Sequence, residues 1–94
     1  MLFTGQGIMN MKNRKWMNDY SPIDEQGSSF VDRQYSRAYL RHLIVSGEML
    51  GAQIASTHNL AFYLWLVRRA FEEIKSGTFT AWKESIIPAL NTRL

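Results

Sequence analysis

Few residues in this chain have side chains that could perform chemistry, and their spacing does not form a catalytic set. Asp24, Glu25 and Asp32 form no pair at a spacing typical of general acid and base catalysis, and loop carboxylates are usually solvated. His58 could be a metal ligand, but a histidine near the start of a helix more often bonds the backbone or a carboxylate. The sequence therefore predicts no catalytic residue and a structural role for His58.

Basic residues offer a second kind of chemistry, the electrostatic binding of an anion. One group consists of Lys12, Arg14 and Lys15. These side chains could contact phosphates, and the neighbouring Trp16 could stack on a base. A second group steps by four residues and consists of Arg33, Arg37 and Arg41. This spacing predicts that the three arginines share one helix face. All six basic residues are candidates for RNA contact. The ordinary alternative is that they form solvated surfaces without a partner.

Tyr35, Tyr39 and His42 form a possible contact surface, because their spacing also predicts a common helix face. Aromatic clusters of this kind belong to a protein core as often as to an interface. The residues alone leave both interpretations open.

The elements that must position these side chains begin with a short hairpin. Residues 2–11 contain two apolar pieces split by Gly5 and Gly7, which predicts two short strands joined by a glycine-assisted turn. Residues 12–33 have no period and are rich in Asn, Asp and Ser, which is typical of a loop. A loop of this length is usually a binding loop, an insertion or a former metal knuckle.

A helical region is predicted after this loop. Ser36 can cap a helix that runs to about Val45 and stops near Gly47. Residues 48–56 are apolar but include a glycine, and we interpret them as a short helical turn or an irregular connection.

The longest predicted helix begins after residues 57–59 and ends at Gly77 in a left-handed cap. Its apolar stripe consists of Leu60, Tyr63, Leu64, Val67, Phe71 and Ile74. A second apolar surface consists of Phe62, Trp65 and Leu66. Such a helix requires burial on more than one side, so we infer a missing neighbour. A last helix, capped by Thr78 or Thr80, should end or kink at Pro88.

The composition is that of one small folded domain: 94 residues, 46% hydrophobic and 20% charged. The absence of cysteine excludes disulfides and thiolate zinc sites and favours the cytoplasm. The longest apolar block, residues 60–67, is far shorter than the roughly 20 residues that cross a bilayer, and residues 1–7 lack the features of a signal peptide. The net charge of +3 favours an anionic partner only weakly.

Several stretches, in order and at matching spacing, resemble the C-terminal part of bacterial-type tRNA-guanine transglycosylases, the queuine tRNA-ribosyltransferase family. The main stretches are YSRAYLRHL at 35–43, GEMLG at 47–51 and HNLAFYL at 58–64. Shorter ones are LFT at 2–4, MNMKN at 9–13, PID at 22–24, and GTF at 77–79, where the family usually has a Gly-basic-Phe turn.

The resemblance implies part of a (β/α)8 barrel enzyme that exchanges a guanine in tRNA for a modified base through two aspartates. Those aspartates, and all eight barrel strands, are expected to be encoded before residue 1. The fold class expected here is mainly α with a small N-terminal β-hairpin. Residues 1–34 would form the hairpin and the loop of a degenerate zinc-type subdomain, and residues 35–94 a helical C-terminal region that includes the helix closing the barrel.

The resemblance also implies a lost cofactor. The family usually has Cys-x-Cys-x2-Cys, with a histidine 26 positions after the last cysteine, as a tetrahedral zinc site. Here Gly27, Ser29, Asp32 and His58 occupy those positions. Two competent ligands are too few for a structural site, so we expect no zinc and no other cofactor. Phe30 and Val31 are expected to form a small apolar cluster instead.

The resemblance leads to a functional hypothesis. The chain is expected to be a fragment that is inactive alone and supplies tRNA-backbone contacts and a homodimer surface, the latter through Tyr35, Tyr39 and His42. The alternative is a free-standing helical interaction module without catalysis. A longer reading frame upstream of Met1 would support the fragment, and a stop codon with a ribosome-binding site directly before Met1 would support the module.

Overall fold

A computed structural model describes residues 1–94 and is mainly helical, with a two-stranded N-terminal hairpin, as the sequence predicts. The strands are β1 (Leu2–Thr4) and β2 (Gly7–Met9), and a 3-10 helix follows at Arg14–Trp16. The helices are α1 (Val31–Gln34), α2 (Arg37–Val45), α3 (Met49–Ser76) and α4 (Phe79–Leu90). No helix combines the length and the apolar character that crossing a membrane requires.

The hairpin pairs antiparallel in the register Leu2 with Met9 and Thr4 with Gly7. The hydroxyl of Thr4 closes the turn, since it accepts from the Gly7 amide at 3.1 Å and donates to the Gly7 carbonyl at 2.8 Å. Alternation along the strands buries Leu2, Thr4 and Met9 on one side. The C-terminal backbone runs beside β2, where the Ile8 amide donates to the Thr92 carbonyl at 2.7 Å. The N-terminal and C-terminal segments are therefore hydrogen-bonded to each other.

Helix α2 has the boundaries that its local signals predict. The Ser36 hydroxyl accepts from the Tyr39 amide at 3.1 Å, which is the expected N-cap. The helix ends at Val45, and Gly47 follows with a φ of 72°. Both features arise from contacts within a few residues, which is why the sequence identified them.

Helix α3 begins earlier than predicted. It runs unbroken from Met49 to Ser76, so the interpretation of residues 48–56 as a short turn or irregular connection is wrong. A helical glycine costs about 1 kcal/mol relative to alanine. Tertiary packing offsets that cost, because Gly51 is buried where a Cβ atom would lie only 3.0 Å from the Leu43 Cβ. Glycine thus allows α2 and α3 to approach closely.

The core lies at one end of an elongated molecule of 46 × 21 × 19 Å. It consists of Leu2, Met9, Met11, Trp16, Ile23, Val31, Leu40, Leu43 and Ile54. The second half of α3 and all of α4 contribute no fully buried residue. The polar segment 12–33, which was predicted to be a loop, supplies three side chains to the core. Trp16 comes from the 3-10 helix, Val31 comes from α1, and Ile23 comes from the stretch between them.

The turn between α3 and α4 follows the prediction in part. Gly77 has a φ of 73° and ends α3 in the left-handed conformation. Thr78 occupies the N-cap position of α4, but its hydroxyl bonds the Glu73 carboxylate instead of capping. Pro88 does not end the helix at its own position, since α4 continues to Leu90.

Candidate functional site

Asp32 and His58 form a buried polar pair that joins three segments. Nδ1 of His58 bonds Oδ1 of Asp32, and both side chains are 1% exposed. Helix α1 places the carboxylate and the first half of α3 places the imidazole, 26 residues away. The other ring nitrogen, Nε2, lies 2.7 Å from the carbonyl oxygen of Phe3 in β1. The structural interpretation of His58 is confirmed, whereas the expectation of solvated loop carboxylates is wrong for Asp32 and for buried Asp24.

The partners of His58 favour its protonated form. A carbonyl oxygen only accepts, so Nε2 must donate to Phe3. A protonated ring can donate to Phe3 and to Asp32 at the same time. Burial lowers the pKa of His58, but the hydrogen bonds to Asp32 and Phe3, together with the charges of Asp32 and Asp24, outweigh burial and raise that pKa above its ordinary value.

We expect the stability of the chain to fall as the pH rises above 6.5, the ordinary histidine value. A pKa raised in the folded state contributes stability that is fully present below the unfolded pKa and is lost as the pH rises through the folded pKa. Thermal unfolding measured from pH 6 upward should show a declining Tm, by roughly 4–8 °C for each kcal/mol lost.

The chain has one other histidine, His42, which is exposed and provides the control. His42→Gln should retain the pH dependence, whereas His58→Gln should remove it. An identical slope in wild type and His58→Gln would contradict the assignment of this dependence to the buried pair.

The carboxylate of Asp32 also fills the space beside Gly27. Its Oδ2 accepts from the backbone amide of Ser29 at 3.1 Å. A Cβ atom placed on Gly27 would lie closer than 3.0 Å to three side-chain atoms of Asp32. Gly27 does not have a positive φ. Glycine is therefore required at this position for space and not for backbone conformation.

These residues do not fit a zinc ion. Gly27 has no donor atom, the Ser29 hydroxyl lies 3.4 Å from the Val31 amide, and Asp32 and His58 bond each other. No three His, Cys, Asp or Glu side chains are grouped so that they could hold a metal. Absence of zinc stays a prediction that rests on this donor set.

The expected apolar replacement for the zinc site is wrong. Val31 joins the main core, but the side chain of Phe30 is 72% exposed, so the two residues form no local cluster. The polar pair of Asp32 and His58 occupies the centre of this region instead.

The pair itself is not arranged for catalysis. Both ring nitrogens of His58 bond groups within the protein, so neither is free to bond a substrate. A cleft beside the pair is lined in part by Ser28, Phe62 and Trp65. The Ser28 hydroxyl donates to the Ala61 carbonyl at 3.4 Å and is not hydrogen-bonded to a histidine or a carboxylate that could activate it. The arrangement is a structural cross-link.

A second candidate site is a basic surface around Trp16. The Lys15 ammonium lies 4.8 Å and the Arg37 guanidinium 5.1 Å from the centre of the indole ring. Arg41 donates to the Asn13 carbonyl at 3.1 Å, which connects α2 to the segment that leads into the 3-10 helix. The surface, called the basic patch below, consists of Lys12, Arg14, Lys15, Arg37 and Arg41. The structure thus brings Lys15, Arg37 and Arg41 together, and Lys12 and Arg14 lie on the same exposed segment as Lys15.

The members of the basic patch differ in whether their charges are paired within the protein. Lys12, Arg14 and Lys15 are exposed and form no ion pair. Arg37 donates to the Asp19 carboxylate and to the Ile23 carbonyl, both at 3.2 Å. The hydrogen bond from Ser21, followed by Arg37, lowers the pKa of Asp19 despite partial burial.

Trp16 does not offer a stacking surface. Its side chain is 6% exposed, and its indole nitrogen donates to the Asn10 carbonyl at 3.0 Å. The interpretation of Trp16 as a platform for a base is therefore wrong. Its ring instead supports the cations above it.

Arg33 lies apart from the basic patch. Tyr35 is extended, with φ −118° and ψ 146°, so α1 and α2 are separate helices and the common face predicted for Arg33, Arg37 and Arg41 does not exist. The extended N-cap at Ser36 makes this break necessary. Arg33 is exposed and donates to the Glu25 carbonyl at 3.3 Å.

The aromatic candidates remain adjacent across the same break. The rings of Tyr35 and Tyr39 stack with centroids 5.7 Å apart and an interplanar angle of 16°. Tyr35 is half-buried, whereas Tyr39 and His42 are exposed. Tyr35 packs against the core, so the exposed part of the stack is the ring of Tyr39 on α2.

The predicted apolar stripe of α3 is exposed along its whole length. Its residues are Leu60, Tyr63, Leu64, Val67, Phe71 and Ile74. A groove beside it, between β1, α3 and α4, is lined by Phe3, Phe62, Leu66 and Leu90 among others. An apolar surface this continuous on a small chain indicates an interaction site.

Two contacts that position the candidate residues were not predictable from the sequence: the Asp19–Arg37 pair and the bond of His58 to the Phe3 carbonyl. The first joins residues 18 apart and the second residues 55 apart, and neither has a periodic signal. Only the Asp19-x-Ser21 spacing, which suits a side chain bonded to the backbone two residues on, marked Asp19 as ordered.

Comparison with known proteins gives one consistent result. A family model described as Queuine tRNA-ribosyltransferase matches residues 1–92. Proteins named queuine tRNA-ribosyltransferase from Aquifex aeolicus and Brucella melitensis are 33% and 40% identical and cover 99% and 96% of this chain. One from Bacillus velezensis is 46% identical over 83% of it. The chain spans only about a quarter of the length of these relatives: 25%, 26% and 21%.

Proposed function

We propose that this chain, which belongs to the queuine tRNA-ribosyltransferase family, is the C-terminal part of a tRNA-guanine transglycosylase and contributes binding surfaces to it. The observation that carries the proposal is the match of residues 1–92 to a family whose members are about four times longer. Base exchange in tRNA is then an activity of the whole enzyme. The (β/α)8 barrel and its two aspartates belong to the part that precedes these residues.

The basic patch is the part of the chain best suited to tRNA. Lys12, Arg14 and Lys15 project from one exposed segment without carboxylate partners, so their charges are available to phosphates. Arg37 and Arg41 hold this segment against α2. Phosphate contacts of this type supply affinity and position the RNA, but they do not read its sequence. Arg33, which bonds the Glu25 carbonyl, would contribute at most a separate contact.

Two further surfaces serve protein contacts in this proposal. The stacked Tyr35 and Tyr39 with His42 form the homodimer surface, because aromatic side chains are enriched at interfaces. The apolar stripe of α3 packs on the remaining three-quarters of the enzyme. That assignment explains why α3 and α4 carry large apolar side chains with no partner in residues 1–94.

The proposal predicts that exchange of labelled guanine into tRNA depends on joining this chain to a barrel. The 94-residue chain alone should show no exchange above background. A chimera in which this chain replaces the C-terminal quarter of the Aquifex aeolicus relative should show clear exchange. In the chimera, Lys12→Glu, Arg14→Glu and Lys15→Glu together should raise KM for tRNA and leave kcat little changed. The slope of log KM against log salt should fall by roughly 0.7 to 0.9 for each phosphate that is no longer neutralised.

Lys83→Glu, an exposed lysine on α4 outside the basic patch, is the matched control and should leave KM unchanged. Exchange by the 94 residues alone would refute the assignment of the chemistry to the barrel. A triple charge reversal no worse than Lys83→Glu would refute tRNA contact by the patch.

A further inference from the structure

Four residues of the loop, α1 and α3 lie around one small volume, and the carboxylate of Asp32 occupies it. The imidazole of His58 approaches from α3 and bonds Oδ1. The amide of Ser29 approaches from the loop and bonds Oδ2 at 3.1 Å. Any side chain at position 27 would begin at a Cβ atom closer than 3.0 Å to the same carboxylate. The positions are 27, 29, 32 and 58.

We propose that the Asp32 carboxylate is a built-in replacement for a metal ion at this point, and that the pair and a metal are mutually exclusive. One carboxylate joins the loop to α3, and the His58 ring continues the connection to β1 through the Phe3 carbonyl. The inference rests on this geometry and not on the proposed function.

The electrostatics of the point agree with this replacement. A metal would place a cation among anionic or neutral ligands, and here the roles are reversed: the carboxylate of Asp32 lies between the His58 ring and the Ser29 amide. No buried side-chain nitrogen or oxygen lacks a hydrogen-bond partner. A metal could enter only after Asp32 and His58 separated, which would leave two buried polar side chains without their hydrogen-bond partners.

The replacement makes positions 27 and 32 dependent on each other. A side chain at 27 collides with the carboxylate of Asp32, and removal of that carboxylate leaves His58 without its partner. A single cysteine at either position therefore damages the pair without creating a site. Cysteines at 27, 29 and 32 together, with His58, would supply four ligands around the same point, as a tetrahedral zinc site requires.

The test compares wild type with Gly27→Cys, Asp32→Cys, and the triple variant Gly27→Cys, Ser29→Cys, Asp32→Cys. Thermal unfolding is measured under reducing conditions with one equivalent of Zn²⁺ and with excess chelator, and bound zinc is counted after dialysis. Wild type should melt at the same temperature in both conditions. Each single variant should melt lower than wild type in both conditions. The triple variant should retain one equivalent of zinc and gain more than about 10 °C from it.

A second triple variant controls for the number of thiols: Ser28→Cys, Phe30→Cys and Arg33→Cys place three cysteines on neighbouring exposed positions. It should gain no comparable stability from zinc. NMR of the His58 ring in wild type, which requires no refolding, should show no shift on zinc addition. A zinc-dependent shift of His58 in wild type, a Gly27→Cys variant as stable as wild type, or a first triple variant that takes up no zinc would each overturn the proposal.

Discussion

Asp32→Ala is expected to lower the free energy of unfolding by about 3 to 5 kcal/mol, the usual cost of removing one partner of a buried ion pair. The substitution leaves the His58 ring buried without an acceptor for Nδ1 and the Ser29 amide without its bond to Oδ2. A domain of this size has a total stability of about 5 to 15 kcal/mol, so the variant should be close to unfolding at room temperature. Urea denaturation followed by circular dichroism measures the loss.

Asp19→Ala is the matched control, because Asp19 also pairs with a cation, Arg37, but at a side chain 26% exposed. Its loss should be at most about 1 kcal/mol, as for other exposed pairs. In the double variant Asp32→Ala, His58→Leu, much of the stability should return, since no uncompensated charge remains. If Asp32→Ala were no more harmful than Asp19→Ala, the buried pair would not be a stabilising cross-link.

Gly27→Ala is expected to lower the free energy of unfolding by about 1 to 3 kcal/mol, the range found when a methyl group is forced into filled space. The new Cβ would overlap the Asp32 side chain, and that side chain cannot turn away without losing His58 and Ser29. The backbone at Gly27 has no positive φ, so strain in the main chain does not contribute. The same urea titration measures this loss.

Gly5→Ala separates this effect from the general consequences of removing a glycine. Gly5 also lies in a turn without positive φ, but a Cβ placed there meets no atom within 4 Å. Its stability should stay within about 0.5 kcal/mol of wild type. Equal behaviour of the two alanine variants would show that the carboxylate moves aside freely and that position 27 is not coupled to Asp32.

Features that depend on nearby residues were predictable from the sequence. The hairpin, the Ser36 cap of α2 and the left-handed Gly77 each arise from a bond or a backbone preference within a few residues. The apolar stripe of α3 was also predictable, because helical periodicity alone defines it. The start of α3 was not predictable. The free-energy cost of a helical glycine at position 51 can be read from the sequence, but the packing against Leu43 that offsets this cost depends on the tertiary structure.

The order of amino acids is enough to establish the family, the absence of cysteine and the supply of basic and apolar side chains. What those side chains do follows from how the chain folds. Folding brings Asp32 to His58 across 26 residues and Arg41 to the Asn13 carbonyl across 28. It also buries Trp16, which was expected from the sequence to be exposed beside the basic residues. Burial, charge partners and free space at a residue depend on segments distant in the chain, and no local pattern encodes them.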